Sequence, residues 1–522
     1  MNTENREKPE LEAGVTTESK TVETRQSEGP LKVDRHGLPL VPQPSDNKDD
    51  PLNWSKSLKL GILLQASLLT LMGIMGAAII NPAFVPLAAA FHITPVEASY
   101  ELTVWTIFGA VVPLLLVPLA NVYGRRPFYV LGNLLAAVTN LAAGHCTTWS
   151  GILATRALNG IGAGCATSLG PATVVDLFFL HERGLYMGAY TFCVTNAAHF
   201  APPGRRLHCP ELGLEPMLHD SGTSRDTDKA TQSYIQFGLF VVTYFCFPET
   251  LYSRKVQEAP AECNKSAVPS YVDLLFFRTR GRQTGGRKVT LSSFAAPFVM
   301  MRYLCVMIPA VYYMTAFAYG SLLFAVTGSV VFRGLYGFNT AQTGMIISIP
   351  LVIGCILGEC SAGWFTDWLV YRAARKNGGV RRPEPRLDAL WLALLVPIGT
   401  IIQGVCISHA KSTGWAANAV GMAIASFGLQ VAGTVTYTYC TDCYKPQAAE
   451  ISVVLAFIRL VYCALVPFYA VPLAEKIQYQ YAWLTFACIN IVFLLPMGFL
   501  RLYGERIRNN KWQSKPRYHP DI

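Results

Sequence analysis

From Leu60 to Leu502 the chain alternates long apolar runs with short polar joints. The hydrocarbon core of a bilayer takes about 20 apolar residues per helix. Twelve runs approach or pass that length, at 60–82, 98–120, 127–146, 150–178, 185–203, 233–250, 303–327, 342–366, 388–409, 414–438, 448–473 and 481–502. Six precede and six follow a polar stretch from Ser253 to Ser293. The pattern predicts an all-α membrane protein, with twelve transmembrane helices in two pseudo-symmetric six-helix bundles that face each other across a cavity. The expected divisions are a tail over 1–56, an N-terminal bundle over 57–252, a central loop over 253–294, a C-terminal bundle over 295–503 and a second tail over 504–522.

One stretch breaks the pattern. Residues 203–232, beginning "PGRRLHCPELGLEPMLHD", place charges and prolines where the second half of helix 5 belongs, so the helix 5/6 region is atypical. Taken as an external loop, the stretch leaves helix 5 only about 18 apolar residues, barely a span. The genetic code offers another explanation. Codons for "GRRLHCPELGLEPML", Gly204–Leu218, read one base later permit "GGGFIAQNWGWNRCF", which is glycine-rich, apolar and aromatic. The stretch is therefore expected to be a frame-shifted reading of an ordinary helix 5, either as an error in the gene sequence or as a true lesion.

Composition agrees with the membrane reading. The 522 residues are 52% hydrophobic and 15% charged, against roughly 25% charged in soluble domains, and the mean hydropathy is +0.31. The first 56 residues lack the apolar core of a signal peptide and are rich in Glu, Lys, Thr, Ser and Pro, so a disordered tail is expected. The net charge of +10 could suggest nucleic acid. Its placement does not. Nineteen Lys and Arg fall in joints 2–3, 4–5, 6–7, 8–9 and 10–11, while the opposite joints, the 5–6 connection aside, hold Arg333, Lys411 and Lys476. That asymmetry puts both termini in the cytosol. Fourteen cysteines lie scattered, mostly in apolar runs; Cys440 and Cys443 form a CxxC without a second pair or nearby histidines, so no metal site is expected.

The joint after helix 2 reads "PLANVYGRRPF". Gly124 permits a tight turn, and Arg125 and Arg126 sit at the membrane exit, where helix 4 also ends with Asp176. An acid in such a partly dry place needs a cation, which the arginines could supply. The joint after helix 8 repeats the theme with Gly363, Asp367 and Arg372. A doubled motif in matched positions is stronger than either copy.

These motifs carry a resemblance. "NVYGRRP", "RALNGIGAG" in helix 4, "FPETLYSR" after helix 6 and "DPLNWSKSLK" before helix 1 are similar to signatures of major facilitator superfamily transporters of the fungal drug:H+ antiporter type, over residues 50–505. Asn121 stands where many members carry Asp. The resemblance implies two bundles rocking around a central site, driven by a proton gradient. The loop residues Gly124, Arg125, Arg126, Asp176, Asp367, Arg372 and Glu359 would then latch the cytosolic side. Arg156 would bias the pKa of a nearby acid for proton coupling, with Glu101 as the candidate carrier.

Other ionisable or polar groups inside the membrane are functional candidates because lipid makes them costly. Asn196 and His199 share a face of helix 5, and Tyr312, Tyr313 and Tyr319 lie on helix 7; they could line the cavity. Arg459 has Glu450 and Asp442 on its cytosolic side, which suggests a structural ion network. The glycines of "NGIGAG" suit close helix packing; no strand precedes them, so they do not form a dinucleotide loop.

No nucleophile–base pair, metal cluster or nucleotide loop suggests an enzyme, and no cofactor is expected. The leading expectation is a secondary active transporter that exports a small organic compound, a drug or secondary metabolite, across the cell membrane against protons. It would work as a monomer in the bilayer without nucleic acid. The alternatives are an importer of a nutrient or organic cation on the same fold, and a transport-impaired product of a disrupted helix 5. Sequencing the transcript across codons 200–240 is expected to show one displaced base; an uninterrupted transcript encoding the written peptide leaves a natural lesion or a divergent loop.

Overall fold

The structure, a computed structural model, describes residues 40, 42, 44, 45, 50–78, 84–179, 182–207, 223–252, 291–376, 382–444 and 447–510. Helices stand at all twelve expected positions. They are α1 (Lys56–Ala78), α2 (Tyr100–Tyr123), α3 (Arg126–Gly144), α4 (Trp149–Leu177), α5 (Arg183–Leu207) and α6 (Thr223–Cys246) in the first half. In the second half α7 comprises Leu304–Phe317, a π turn at Ala318–Leu322 and Leu323–Tyr336. Next come α8 (Thr340–Lys376) and α9, a 3-10 stretch Glu384–Leu394 running into Leu395–Ser408. The last three are α10 (Ala410–Cys443, kinked at Gly414), α11 (Ala448–Ile477) and α12 (Tyr479–Asn509). Among the described residues, nine helices are long and apolar enough to cross a membrane; α4, α5 and α6 complete the set by position.

The two halves repeat each other. In the first, α2 and α3 pack on α4, and α3 on α6; in the second, α8 and α9 pack on α10, and α9 on α12. The halves join through α5 along α8 and α2 along α11. Large apolar side chains such as Val111, Leu115, Phe245, Val492, Leu495 and Leu502 face outward, as lipid-facing residues must, since no water is there to solvate polar ones. Prolines inside α2, α4, α8, α11 and α12 are tolerated because neighbouring helices surround them. The described helix ends that flank joints 2–3, 4–5, 6–7, 8–9 and 10–11 meet at one end, the basic end.

The irregular stretch is partly described. Helix α5 continues to Leu207 and α6 starts at Thr223, ten residues before the expected span; residues 208–222 lie outside the described residues. At the start of the expected span, polar side chains find internal partners. Gln232 donates to the Met72 carbonyl at 3.0 Å, Ser233 to that of Ala137 at 2.7 Å, and Asn140 to Gln236 at 2.7 Å. Most of the expected N-terminal tail, the central loop over 253–290 and residues 511–522 also lie outside the described residues. The expected C-terminal tail begins as helix: α12 runs to Asn509, where Arg508 pairs with Glu384 at the start of α9.

Close approach of α4 to its neighbours depends on glycine. A Cβ on Gly160 would stand 2.5 Å from the Trp105 carbonyl of α2, and one on Gly162 the same 2.5 Å from the Gly132 carbonyl of α3. Backbone cannot yield there, so overpacking of roughly 1–3 kcal/mol is expected. Gly162→Ala should lower the melting temperature of the detergent-solubilised protein by several degrees. Gly61→Ala, where nothing lies within 4 Å, should leave it unchanged or raise it. Equal melting of the two variants would show that the glycine contact does not limit the packing.

Candidate functional site

A cavity lies between the halves, with about 700 Å³ of space among its walls when its opening to solvent is included. Its walls come from α1 (Ile74, Ala77, Ala78), α2 (Leu102, Trp105, Thr106, Gly109), α4 (Gly164, Thr167), α5 (Ala198), α7 (Phe317, Ser321, Leu322, Ala325) and α11 (Arg459, Leu460, Cys463). Small residues on α1 and α4 make the room. The π turn of α7 carries Ser321 and Leu322 into the wall; such wide turns often mark functional positions. Arg459 is the one charged residue in this lining.

Glu101 at the start of α2 and Arg156 on α4 form a buried ion pair near the cavity, exposed by 3% and 1%. Arg156 also donates to the Gly76 carbonyl of α1 at 3.0 Å, so the pair ties three helices together. One turn along each helix, Trp105 donates to Asn159 at 3.0 Å. His199 is buried and lies 3.2 Å from Ser321 across the bundle interface. Asn196 is buried and donates to its own helix at the Phe192 carbonyl, 2.9 Å away. Tyr312 and Tyr313 are fully buried. Tyr319 stacks on Phe486 and hydrogen-bonds Tyr462. Cys440 donates to the Cys305 carbonyl at 3.5 Å.

Arg459 departs from the expected ion network. Glu450 instead accepts from Asn121 at 2.8 Å, and Asp442 bonds Arg183 and Arg386. The Arg459 guanidinium lies over Phe317, 4.4 Å from the ring centroid, and 5.6 Å from that of Tyr313. Glu450 stands nine residues earlier on the same helix, too far along the axis to reach, and Asp442, on α10, is taken by Arg183 and Arg386.

At the basic end, charges pair within each half, and one pair, Arg183 with Asp442, crosses between the halves. Arg125 meets Asp176 at 2.5 Å. Gly124 has φ +95°, and a Cβ there would stand 2.4 Å from a Glu249 oxygen, so only glycine fits. Glu249 accepts the backbone N–H groups of Arg125, Arg126 and Leu251 at 3.0, 3.1 and 2.9 Å. It thereby caps the open N–H groups at the start of α3 and holds the turn in place. Arg126 donates to the Tyr244 carbonyl on α6.

The second copy uses a different arginine from the expected one. Arg372 is exposed and lies over Trp368, 5.2 Å from its centroid. Asp367 pairs instead with Arg386 at 2.7 Å, and Arg386 pairs with Asp442 at 2.8 Å. Arg386 starts α9 as Arg126 starts α3, so the symmetric position follows the joint rather than preceding it. Arg183 at the start of α5 reaches Asp442 at 3.5 Å from the other half. Glu359 accepts from Gln430 at 2.7 Å and Thr434 at 2.8 Å and presses on Gly188 of α5. Thr191 and Thr434 meet across the interface at 3.2 Å.

Residues 66–467 match the Major Facilitator Superfamily. The chain belongs to that superfamily. It is 24% identical over 471 residues to the efflux pump radE of Floropilus chiversii, covering 89% of this chain and 84% of that protein. To the MFS-type transporter atr4 of Stereocaulon alpinum it is 27% identical over 480 residues, covering 89% and 81%. The fold is similar to that of the proton:xylose symporter XylE, with a TM-score of 0.61 at 14% identity, covering 86% of this chain and 97% of that one. As a superfamily member with nine helices of membrane length among its described residues, the protein is an integral, multi-pass membrane protein.

Asp442→Asn removes the anion that Arg183 and Arg386 share and leaves one accepting oxygen in place of two, and breaking a buried pair from one side costs roughly 3–5 kcal/mol. Hydrogen–deuterium exchange in the α4–α5 and α10–α11 joints is expected to rise more than about tenfold. Arg372→Ala should leave both joints as they are. Unchanged protection in Asp442→Asn would mean that the network does not hold this end shut.

Proposed function

We propose that this superfamily member is a proton-coupled exporter of a small organic compound, working by alternating access between its two bundles. The observation that supports this most is the Glu101–Arg156 pair, a buried titratable acid at the edge of the central cavity. In this reading the basic end faces the cytosol, as the excess of Lys and Arg there favours. Cross-bundle contacts hold that end closed, so the cavity is presented to the opposite side.

A proton arriving from outside neutralises Glu101, and Arg156 loses its anionic partner. The helix contact among α1, α2 and α4 weakens, and the rearrangement exchanges the closed end for the open one. On the cytosolic side the proton leaves and the cargo enters. The latch residues Arg125, Asp176, Asp367, Arg386 and Asp442 set how firmly the outward state is held. Asn121 donates to Glu450 where an Asp would set two carboxylates against each other. Export as the direction draws on the efflux pump among the relatives.

Yeast cells expressing the full chain and loaded with a panel of fluorescent organic compounds of both charges are the test. At least one compound is expected to leave about tenfold faster than from control cells, and a protonophore or Glu101→Gln should abolish the difference. Gradient-driven accumulation instead would make the protein an importer. Identical behaviour of expressing and control cells would mark the chain as transport-impaired.

A further inference from the structure

We infer that the central cavity takes an amphipathic organic anion, its acid group seated on the Arg459 guanidinium. The inference rests on the exporter reading above for its site and names the class of compound that site accepts. Other buried arginines have carboxylate partners: Arg156 has Glu101 near the cavity, and Arg183 and Arg386 at the basic end have Asp442. Arg459 is 2% exposed and lines the cavity, yet makes no ion pair among the described residues, and its Nε has no hydrogen-bond partner among them. A guanidinium does not escape burial by losing its proton.

The faces of Phe317 and Tyr313 offset part of that cost. Neither ring carries the negative charge that a carboxylate would bring to the guanidinium N–H groups. An anion in the cavity would therefore meet a cation that is already dehydrated and lacks a competing acid. A cationic cargo would meet repulsion from the same group at short range in a dry site.

The remaining walls define the rest of the molecule. They are aliphatic and aromatic, with hydroxyls only at Thr106, Thr167 and Ser321. So few donors do not match a sugar or a doubly charged phosphate, whose oxygens would be left without partners. They match an apolar body with one acid group, such as a carboxylate or an acidic phenol.

Three probes on one ring system test this: naphthalene-1-acetate, its methyl ester and 1-naphthylmethylammonium. Binding to the purified full chain is measured by calorimetry, and proton movement by an internal pH dye in proteoliposomes. The acetate is expected to bind at least about tenfold more tightly than either other probe. Arg459→Gln should erase that preference, and Arg459→Lys, which keeps the charge, should retain part of it. Should Arg459→Gln fail to fold, Ala325→Asp sets a carboxylate into the same wall and is expected to weaken the acetate about tenfold while leaving the ester unchanged. Equal binding of acetate and ester overturns the inference, as does preference for the ammonium, persistence of the preference in Arg459→Gln, or failure of all three probes to bind at millimolar concentration. Selective acetate binding without proton movement upholds the anion site and overturns the proton-coupled reading. Proton movement driven equally by all three probes upholds that reading and overturns the anion site.

Discussion

A charge inside a membrane protein must find its counter-charge within the protein, because neither lipid nor packed side chains will solvate it. This constraint organises the molecule. Arg156 joins α4 to α2 through Glu101 and to α1 through the Gly76 carbonyl. Asp442, shared by Arg183 and Arg386, joins α5 to α9 and α10. Glu249 binds the turn between α2 and α3 to the end of α6 through three backbone N–H groups. Each pairing holds helices that otherwise meet through small, slippery surfaces of glycine and alanine. Arg459, set against Phe317 and Tyr313 with no carboxylate partner among the described residues, departs from that rule at the wall of the cavity.

The helices were legible because hydrophobic run length is a one-dimensional property. The spans read at 98–120, 127–146 and 448–473 correspond to Tyr100–Tyr123, Arg126–Gly144 and Ala448–Ile477. Helix ends were less so. Helix α12 extends to Asn509 because Arg508 finds Glu384, a partner more than a hundred residues away. Similarly, α6 begins at Thr223, inside a stretch whose composition gives no membrane signal.

Partners across the fold depended on distance along helix axes. Arg125 and Asp176 were readable together because both lie where helices leave the membrane at one level. Arg372 was misleading, since it comes five residues after Asp367 but is exposed, and Arg386, beyond the joint, fills the symmetric place. The excess of charged neighbours near Arg459 misled in the same way, because nine residues of helix separate Arg459 from Glu450, about 13 Å of axial rise. The aromatic shelf from α7 that does meet it belongs to the same half of the fold but lies well over a hundred residues earlier in the chain.

The alternating chain Arg183–Asp442–Arg386–Asp367 also has an electrical consequence. A transmembrane voltage works on net charge moved along the field, at about 2.3 kcal/mol per elementary charge per 100 mV. Two arginines and two aspartates sum to zero, as do Arg125 and Asp176. Parting and re-forming such neutral groups displaces almost no charge, so the membrane potential has little grip on the closure itself. Its leverage falls on the guanidinium of Arg459 with whatever sits beside it and, in the proton-coupled reading, on the proton that Glu101 carries.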